Sequence, residues 1–388
     1  LTASGTITAG KPVIQNTNGT VTQVAETSTG STVTEAVGSA QALSSDHAWY
    51  GSRYSSIVNI GNDKVFAIWV NTYQGNYLYG SVGTVSGTNK TITWATAVAI
   101  RSAGCKFPSL GYDPVSDAIG VYFLDSSTGN HTINKITVSG TTVSLGTATA
   151  LNYTYYNNSN TTPPPMVYDA DNQQLVLMVR NYYSYPSAFA FSVAGTQMTA
   201  VHYTIHTADG TFSADNLGAG FDYNTTDNMF VMALAGSYSA GVGGMTAYGI
   251  TNSGSAFTFG TKLIYGITGA CSPSSISYNS DQNKFLATFL NNTVGSGTNE
   301  ACGVVISNSG TTLTSGTVVV FSTADSAAWN NAVYNSGAKK HIAVCQNSTS
   351  YTANIYTATI SGTTPTFSGS TSAGSKTIST YFAQYEAV

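Results

Sequence analysis

Short, almost wholly apolar runs recur along the chain at near-constant spacing: VFAIWV (65–70), AIGVYFL (118–124), LVLMV (175–179), MFVMALA (229–235), FLATFL (285–290) and HIAVC (341–345). Brief runs of this kind, rich in β-branched and aromatic side chains and bounded by turn residues, predict strands covered on both faces. A turn precedes each run, anchored at Gly61, Asp113, Asp169, Asn224, Asn279 and Asn335, which lie 52 to 56 residues apart. A second turn, built of small residues, ends at Gly87, Gly140, Gly195, Gly254, Gly310 and Gly362, at intervals of 52 to 59 residues. Two independent anchors sharing one period mark an internal repeat.

One repeat reads as four strands. FPSLGY (107–112) is strand A, AIGVYFLD (118–125) strand B, HTINKITV (131–138) strand C and TVSLGTATAL (142–151) strand D. The connections carry turn chemistry: Pro presets φ, Gly accepts positive φ, and Asp or Asn caps the backbone that follows it. Four-stranded repeats of this length with buried inner strands predict an all-β fold, a β-propeller, because a lone sheet cannot cover both its faces whereas stacked blades cover one another. Full repeats are predicted at 49–100, 101–152, 153–207, 208–266, 267–323 and 324–376. Residues 1–45 and 377–388 are predicted to share a closing blade, making one seven-bladed propeller domain of four-stranded blades across 1–388, with six blades the alternative count. Closure of this kind hides the edges of an open sheet.

Composition agrees with an all-β chain and excludes several functions. Charged residues make up only 8%, with 13 basic and 17 acidic side chains and a net charge of −4. No basic stripe is present, so nucleic acid is not an expected partner. No apolar run reaches the length of a membrane-spanning helix, so no membrane insertion is expected. Cys105, Cys271, Cys302 and Cys345 are widely and irregularly spaced. They form no metal pattern and read as buried thiols, so no metal and no cofactor is expected.

Candidate chemistry falls in the loops between B and C strands and between successive repeats, which differ in every repeat while the A–B and C–D turns are stereotyped. Such loops on a rigid frame commonly bind ligands. Their aromatic and basic residues supply the ligand-binding candidates Trp49, Tyr50, Arg53, Tyr73, Arg101, Tyr155, Tyr156, Tyr182, Tyr183, Tyr185, Tyr238, Trp329 and Tyr351. Aromatic rings with polar tips suit sugars and other flat polar ligands. Asp113, Asp169 and Asp171 recur with the A–B turn and read as turn caps. No catalytic residue is assigned: the four glutamates make no evident acid pair for glycoside hydrolysis. The three arginines (Arg53, Arg101, Arg180) keep a sialidase-like glycosidase as a third reading. His202 and His206 would share one side of a strand, roughly 13 Å apart, too far to hold one ion.

The phrases GTVSGTNKTITWATAVAI (83–100) and ASGTITAGKPVIQNTNGTVTQV (3–24) resemble repeats of tail-fibre and appendage structural proteins of marine bacteriophages and related viruses. That resemblance implies a non-enzymatic structural protein on the virion surface or otherwise extracellular: a tail fibre, receptor-binding or decoration subunit. Its implied partners are other virion proteins and a host-surface glycan or receptor, and it allows a homo-oligomer. A secreted bacterial lectin or adhesin with the same fold is the alternative.

Overall fold

A computed structural model of the chain describes residues 2–3, 13–15, 20–23, 55–87, 91–151, 163–180, 185–207, 220–235, 244–265, 270–292, 299–323, 327–347 and 352–375. The chain divides into two compact units, Leu1–Ala36 and Val37–Val388. In the first, strand Thr20–Gln23 pairs in parallel with Thr2–Ala3 and antiparallel with Val13–Gln15.

The second unit carries, among its described residues, six antiparallel sheets in succession, at 55–101, 105–151, 166–205, 220–265, 270–322 and 327–375. In every sheet the first four strands are hydrogen-bonded in chain order. The first strands are Ser55–Gly61, Cys105–Asp113, Met166–Asp169, Gly220–Asn224, Ala270–Asn279 and Ala327–Asn335. Each of the first five packs against the first strand of the next sheet. This is the β-propeller that the repeat predicted. The closing seventh blade was assigned to 1–45 and 377–388, of which only 2–3, 13–15 and 20–23 are among the described residues.

The continuous apolar runs are explained by two-sided packing. Along strand Met229–Ala235, Phe230, Met232 and Leu234 join a cluster with Val167, Val176 and Met178 of the preceding sheet. Met229, Val231 and Ala233, the alternate residues, join Phe285, Phe289 and Val304 of the following one. Successive side chains of a strand point to opposite faces, so a strand sandwiched between two sheets must be apolar at every position.

One difference from the sequence reading is local. Strand D, read as continuous, is broken in four sheets, for example into Thr142–Leu145 and Thr149–Leu151 with Gly146 between them. Both pieces still pair with the third strand of the same sheet.

The A–B turns form as their residue types dictate. Asp113 Oδ1 accepts the N–H groups of Val115 (3.0 Å) and Ser116 (3.2 Å). Asn224 Oδ1 accepts those of Thr226 (2.8 Å) and Asp227 (2.9 Å), and Asn279 Oδ1 those of Asp281 and Gln282, both at 3.1 Å. Turn capping is therefore what these positions do. Neighbouring sheets are tied on this side by amide and carboxylate groups. Asn252 Nδ2 donates to Asp169 Oδ2 at 2.7 Å, and Asn308 Nδ2 donates to Asp227 Oδ2 at 2.7 Å.

Candidate functional site

Where the six first strands converge, they enclose a cavity of about 320 Å³. The strands are the inner edges of their sheets, and one register position contributes to the lining in all six: Ser56, Ser109, Pro165, Gly220, Ser275 and Asn331. In the last five sheets this residue stands four places before the Asp, or Asn, of the turn. In the first sheet an irregularity between Asn59 and Gly61 adds one residue to the spacing.

The members of this ring bond to their neighbours. Ser109 Oγ donates to the Pro164 carbonyl. Ser275 Oγ donates to Asn331 Oδ1 at 2.6 Å, and the Ala332 N–H donates to both, at 3.1 and 2.8 Å. Gly220 is the close-approach point. A Cβ there would lie 2.5 Å from the Ile276 backbone nitrogen and 2.7 Å from the Ser275 carbonyl carbon. No side chain fits without parting the two strands.

Two residues along from Gly220, Asp222 places a carboxylate in the lining. Its Oδ2 accepts the Tyr278 N–H of the next sheet at 2.7 Å, and its Oδ1 accepts the Tyr223 N–H at 2.8 Å. The corresponding residues elsewhere are Gly111, Val167, Ser277 and Val333, so the carboxylate is peculiar to one sheet. Sequence reasoning missed it, although the signal was there: an acid inside FDYN where the parallel phrases read GYD, VYD, SYN and VYN.

Tyrosines occupy the position just before the turn cap. Tyr223, Tyr278 and Tyr334 line the cavity, while their hydroxyls turn toward the A–B turns. Tyr278 Oη lies 2.7 Å from Thr226 Oγ1 of the preceding sheet, and the Tyr334 hydroxyl donates to the Asp281 carboxylate. Burial first, and then the carboxylate beside it, pushes the Tyr334 phenol well above its ordinary value. Burial does the same to Tyr223, helped by Asp169. The Tyr223 and Tyr334 phenols stay protonated at neutral pH, and all three rings serve as walls and ties. Among the described lining residues there is no Lys, Arg, His, Glu or Cys.

The loop-face candidates fare differently. Trp49, Tyr50, Arg53, Tyr155, Tyr156, Tyr182, Tyr183, Tyr238 and Tyr351 lie outside the described residues. Tyr73 falls in a 3-10 turn, Thr72–Gln74, and Trp329 on the first strand of the sixth sheet; the side chains of both lie outside the description. Tyr185 is half-buried beside the strand Pro186–Ala194. Arg101 is engaged: its guanidinium meets Asp125 Oδ2 at 2.6 Å. Burial alone would raise the Asp125 carboxyl, but hydrogen bonds from Ser127 and the Arg101 charge hold it below its ordinary value. Cys105 stands opposite Asp125 in the ladder, and burial, reinforced by that carboxylate, pushes its thiol up to about 12.

Cys105, Cys302 and Cys345 are buried. His202 and His206, both half-buried, pack on Phe257 and Phe259 with ring centroids 4.6 and 4.7 Å apart, so they serve as packing rings. No group of three or more metal-ligating side chains occurs among the described residues.

No family model matches the chain, and no curated protein matches it. Solved structures do. The chain is similar to the periplasmic gluconolactonase PpgL of Pseudomonas aeruginosa at 10% identity, covering 86% of this chain and 88% of that one, with a TM-score of 0.56. It is similar to a Lactobacillus plantarum protein at 15% identity over 79% and 82% of the two chains, TM-score 0.54. A Bacteroides uniformis protein provisionally named a 6-phosphogluconolactonase matches at 10% identity over 82% and 88%, TM-score 0.51.

At these identities the likeness is one of fold, the β-propeller. It also corrects three expectations. The resemblance to phage tail-fibre proteins gives way, because the similar structures are bacterial propeller proteins. With it goes the reading of a virion structural subunit, and the lectin alternative gains nothing from the same finding. The non-enzymatic assignment is overturned as well, since lactonase-named proteins share the fold. The physical reason is that the quoted phrases encode turns and strands, and these are common to propellers whatever their function.

Proposed function

We propose that the chain is a hydrolase of the lactonase type, working in the axial cavity with Asp222 as general base. One observation carries the reading: Asp222 is the carboxylate in the described lining of a cavity otherwise walled by hydroxyls, amides, tyrosines and apolar groups. Two backbone N–H groups hold it in place. A concave site with a few convergent polar groups is the ordinary form of a small-molecule site, and the volume falls at the lower end of the usual range. The lactonase names of two structures of like fold point to the same reaction.

In this mechanism Asp222 takes a proton from water as the water oxygen adds to the lactone carbonyl. The tetrahedral intermediate collapses, the ring C–O bond breaks, and the leaving alkoxide takes the proton back from the Asp222 carboxyl. The sum is lactone plus water giving the hydroxy acid. Ser277, a lining residue at the equivalent position one sheet on, would orient the substrate through its hydroxyl.

The test is turnover of D-glucono-1,5-lactone, followed by acid release with a pH indicator. Asp222→Asn should lower the rate above background by about 10²-fold or more, the scale of a general base, with an unchanged circular-dichroism spectrum. Undiminished turnover in Asp222→Asn would remove Asp222 from the mechanism. Absence of turnover in the wild-type protein across five- and six-membered lactones would remove the hydrolase reading.

A further inference from the structure

We infer that the axial cavity selects an uncharged polyhydroxy lactone and rejects its phosphorylated counterpart; this rests on the hydrolase reading and names its substrate class. The first observation is charge. The described lining holds the Asp222 carboxylate and no cationic side chain. A phosphate carries about two negative charges near neutral pH. It would meet a like charge in a partly desolvated cavity, where such repulsion is felt more strongly than in bulk water. Sites that take phosphate supply Arg, Lys or a helix N-terminus, and the described lining residues include none of them.

The second observation is the direction of the hydrogen bonds. The hydroxyl hydrogens of Ser109 and Ser275 are committed to Pro164 O and Asn331 Oδ1. What these groups still offer a ligand is lone pairs, and Asp222 offers more of the same. At these points the lining offers acceptors. A sugar's hydroxyls donate, whereas a phosphate dianion only accepts.

The third observation is the mixed character of the lining. Pro165, Met166 and Phe221 are among its apolar members, and Ser275, Ser277 and Asn331 among its polar ones. A sugar ring presents C–H groups on one face and hydroxyls at its rim, so it suits a lining of both kinds.

The experiment separates ligand class from reaction. Binding of the non-hydrolysable gluconolactam and of its 6-phosphate is measured by calorimetry, alongside turnover of D-glucono-1,5-lactone and its 6-phosphate. The neutral lactam should bind at least about tenfold more tightly than the phosphorylated one, the factor worth ~1.4 kcal/mol, and turnover should follow the same order. Val333→Lys, which adds a cation to the lining, should narrow or reverse that ratio. Equal or tighter binding of the phosphorylated lactam by the wild-type protein overturns the inference while leaving the hydrolase reading intact. Binding of the neutral lactam without any lactone turnover keeps the ligand class and sinks the hydrolase. Failure to bind either lactam overturns both.

Discussion

Gly316 lies so close to Thr363 of the following sheet that a methyl group added to it would overlap the Thr363 carbonyl oxygen, and the next N–H along, that of Thr317, donates to the same oxygen at 3.3 Å. The contact repeats. Gly146 meets the Thr196 carbonyl, with the Thr147 N–H donating at 3.0 Å, and Gly260 meets Thr311. At each of these glycines the outer strand is broken. The break is thus the place where one sheet's rim docks on the next sheet's C–D turn.

Gly316→Ala and Gly146→Ala should each destabilise the fold by about 1–3 kcal/mol, as overpacking against backbone does. Thermal melts would read this as a lower Tm. Gly87→Ala, where an added methyl group meets nothing within 4 Å, is the control and should stay within about 0.5 kcal/mol of wild type. Equal melting of all three variants would refute the docking role.

Asp113 and Asp169 cap equivalent turns but should respond differently to the same substitution. Asp113 is buried like Asp169, but its Oδ2 accepts the rotatable Ser116 hydroxyl, at 2.7 Å, which can turn to accept from an amide. Asp113→Asn should therefore cost less, as Asn224 and Asn279 already cap their turns through Oδ1. Asp169 is buried, and its Oδ2 also accepts Asn172 Nδ2 at 2.9 Å and Asn252 Nδ2 at 2.7 Å. An amide nitrogen in that place would face two donors. Asp169→Asn should therefore cost about 1–3 kcal/mol, the scale of a buried unsatisfied polar group. Chemical denaturation of both variants makes the comparison.

Two buried histidines predict an acid-sensitive fold. Burial lowers His341 to about 3 and His131 to about 4. His341 packs against Tyr334, with ring centroids 4.9 Å apart, and His131 Nδ1 lies 2.5 Å from the Tyr122 hydroxyl. In the unfolded chain both would titrate near the ordinary value of about 6.5. Between about pH 6.5 and 4 the unfolded state therefore binds protons that the folded state refuses, and stability falls as pH falls. The contribution is complete above about pH 6.5. Melts at several pH values across this window should show Tm dropping toward acid, less steeply in His341→Leu. A Tm that stays level from pH 6.5 to 4 would contradict the burial of both rings.

Thiol labelling offers a simpler check. Cys105, Cys302 and Cys345 are buried, and burial raises the Cys105 and Cys345 thiols. The thiolate is the reactive form. These three should resist iodoacetamide in the native protein and react fully in denaturant, as peptide mass spectrometry would report. Native labelling of Cys302 at the rate of an exposed thiol would place it at the surface.

Much of this architecture was legible in one dimension. The run MFVMALA announced a strand covered on both faces, and the structure assigns its alternate residues to two different neighbouring sheets. The turn phrase around Asp113 announced its own cap, because an Asx side chain bonds to N–H groups only two and three residues ahead. The site was not legible in the same way. Attention went to aromatic loops, while Asp222 sat inside a strand phrase and looked like one more variation in it. Gly220 and Gly316 likewise read as unremarkable small residues.

The sequence by itself determined the strands, the turns, the repeat and the two-sided burial, since each is set by side-chain periodicity or by bonds spanning a few residues. Only the tertiary structure decided that Ser109, Gly220, Ser275 and Asn331, each about one repeat from the next in line or two, face a common cavity. It alone set Asp222 against the Tyr278 N–H. These contacts arise from the packing of one sheet on another, and that packing brings together residues whose distance along the chain carries no local signal.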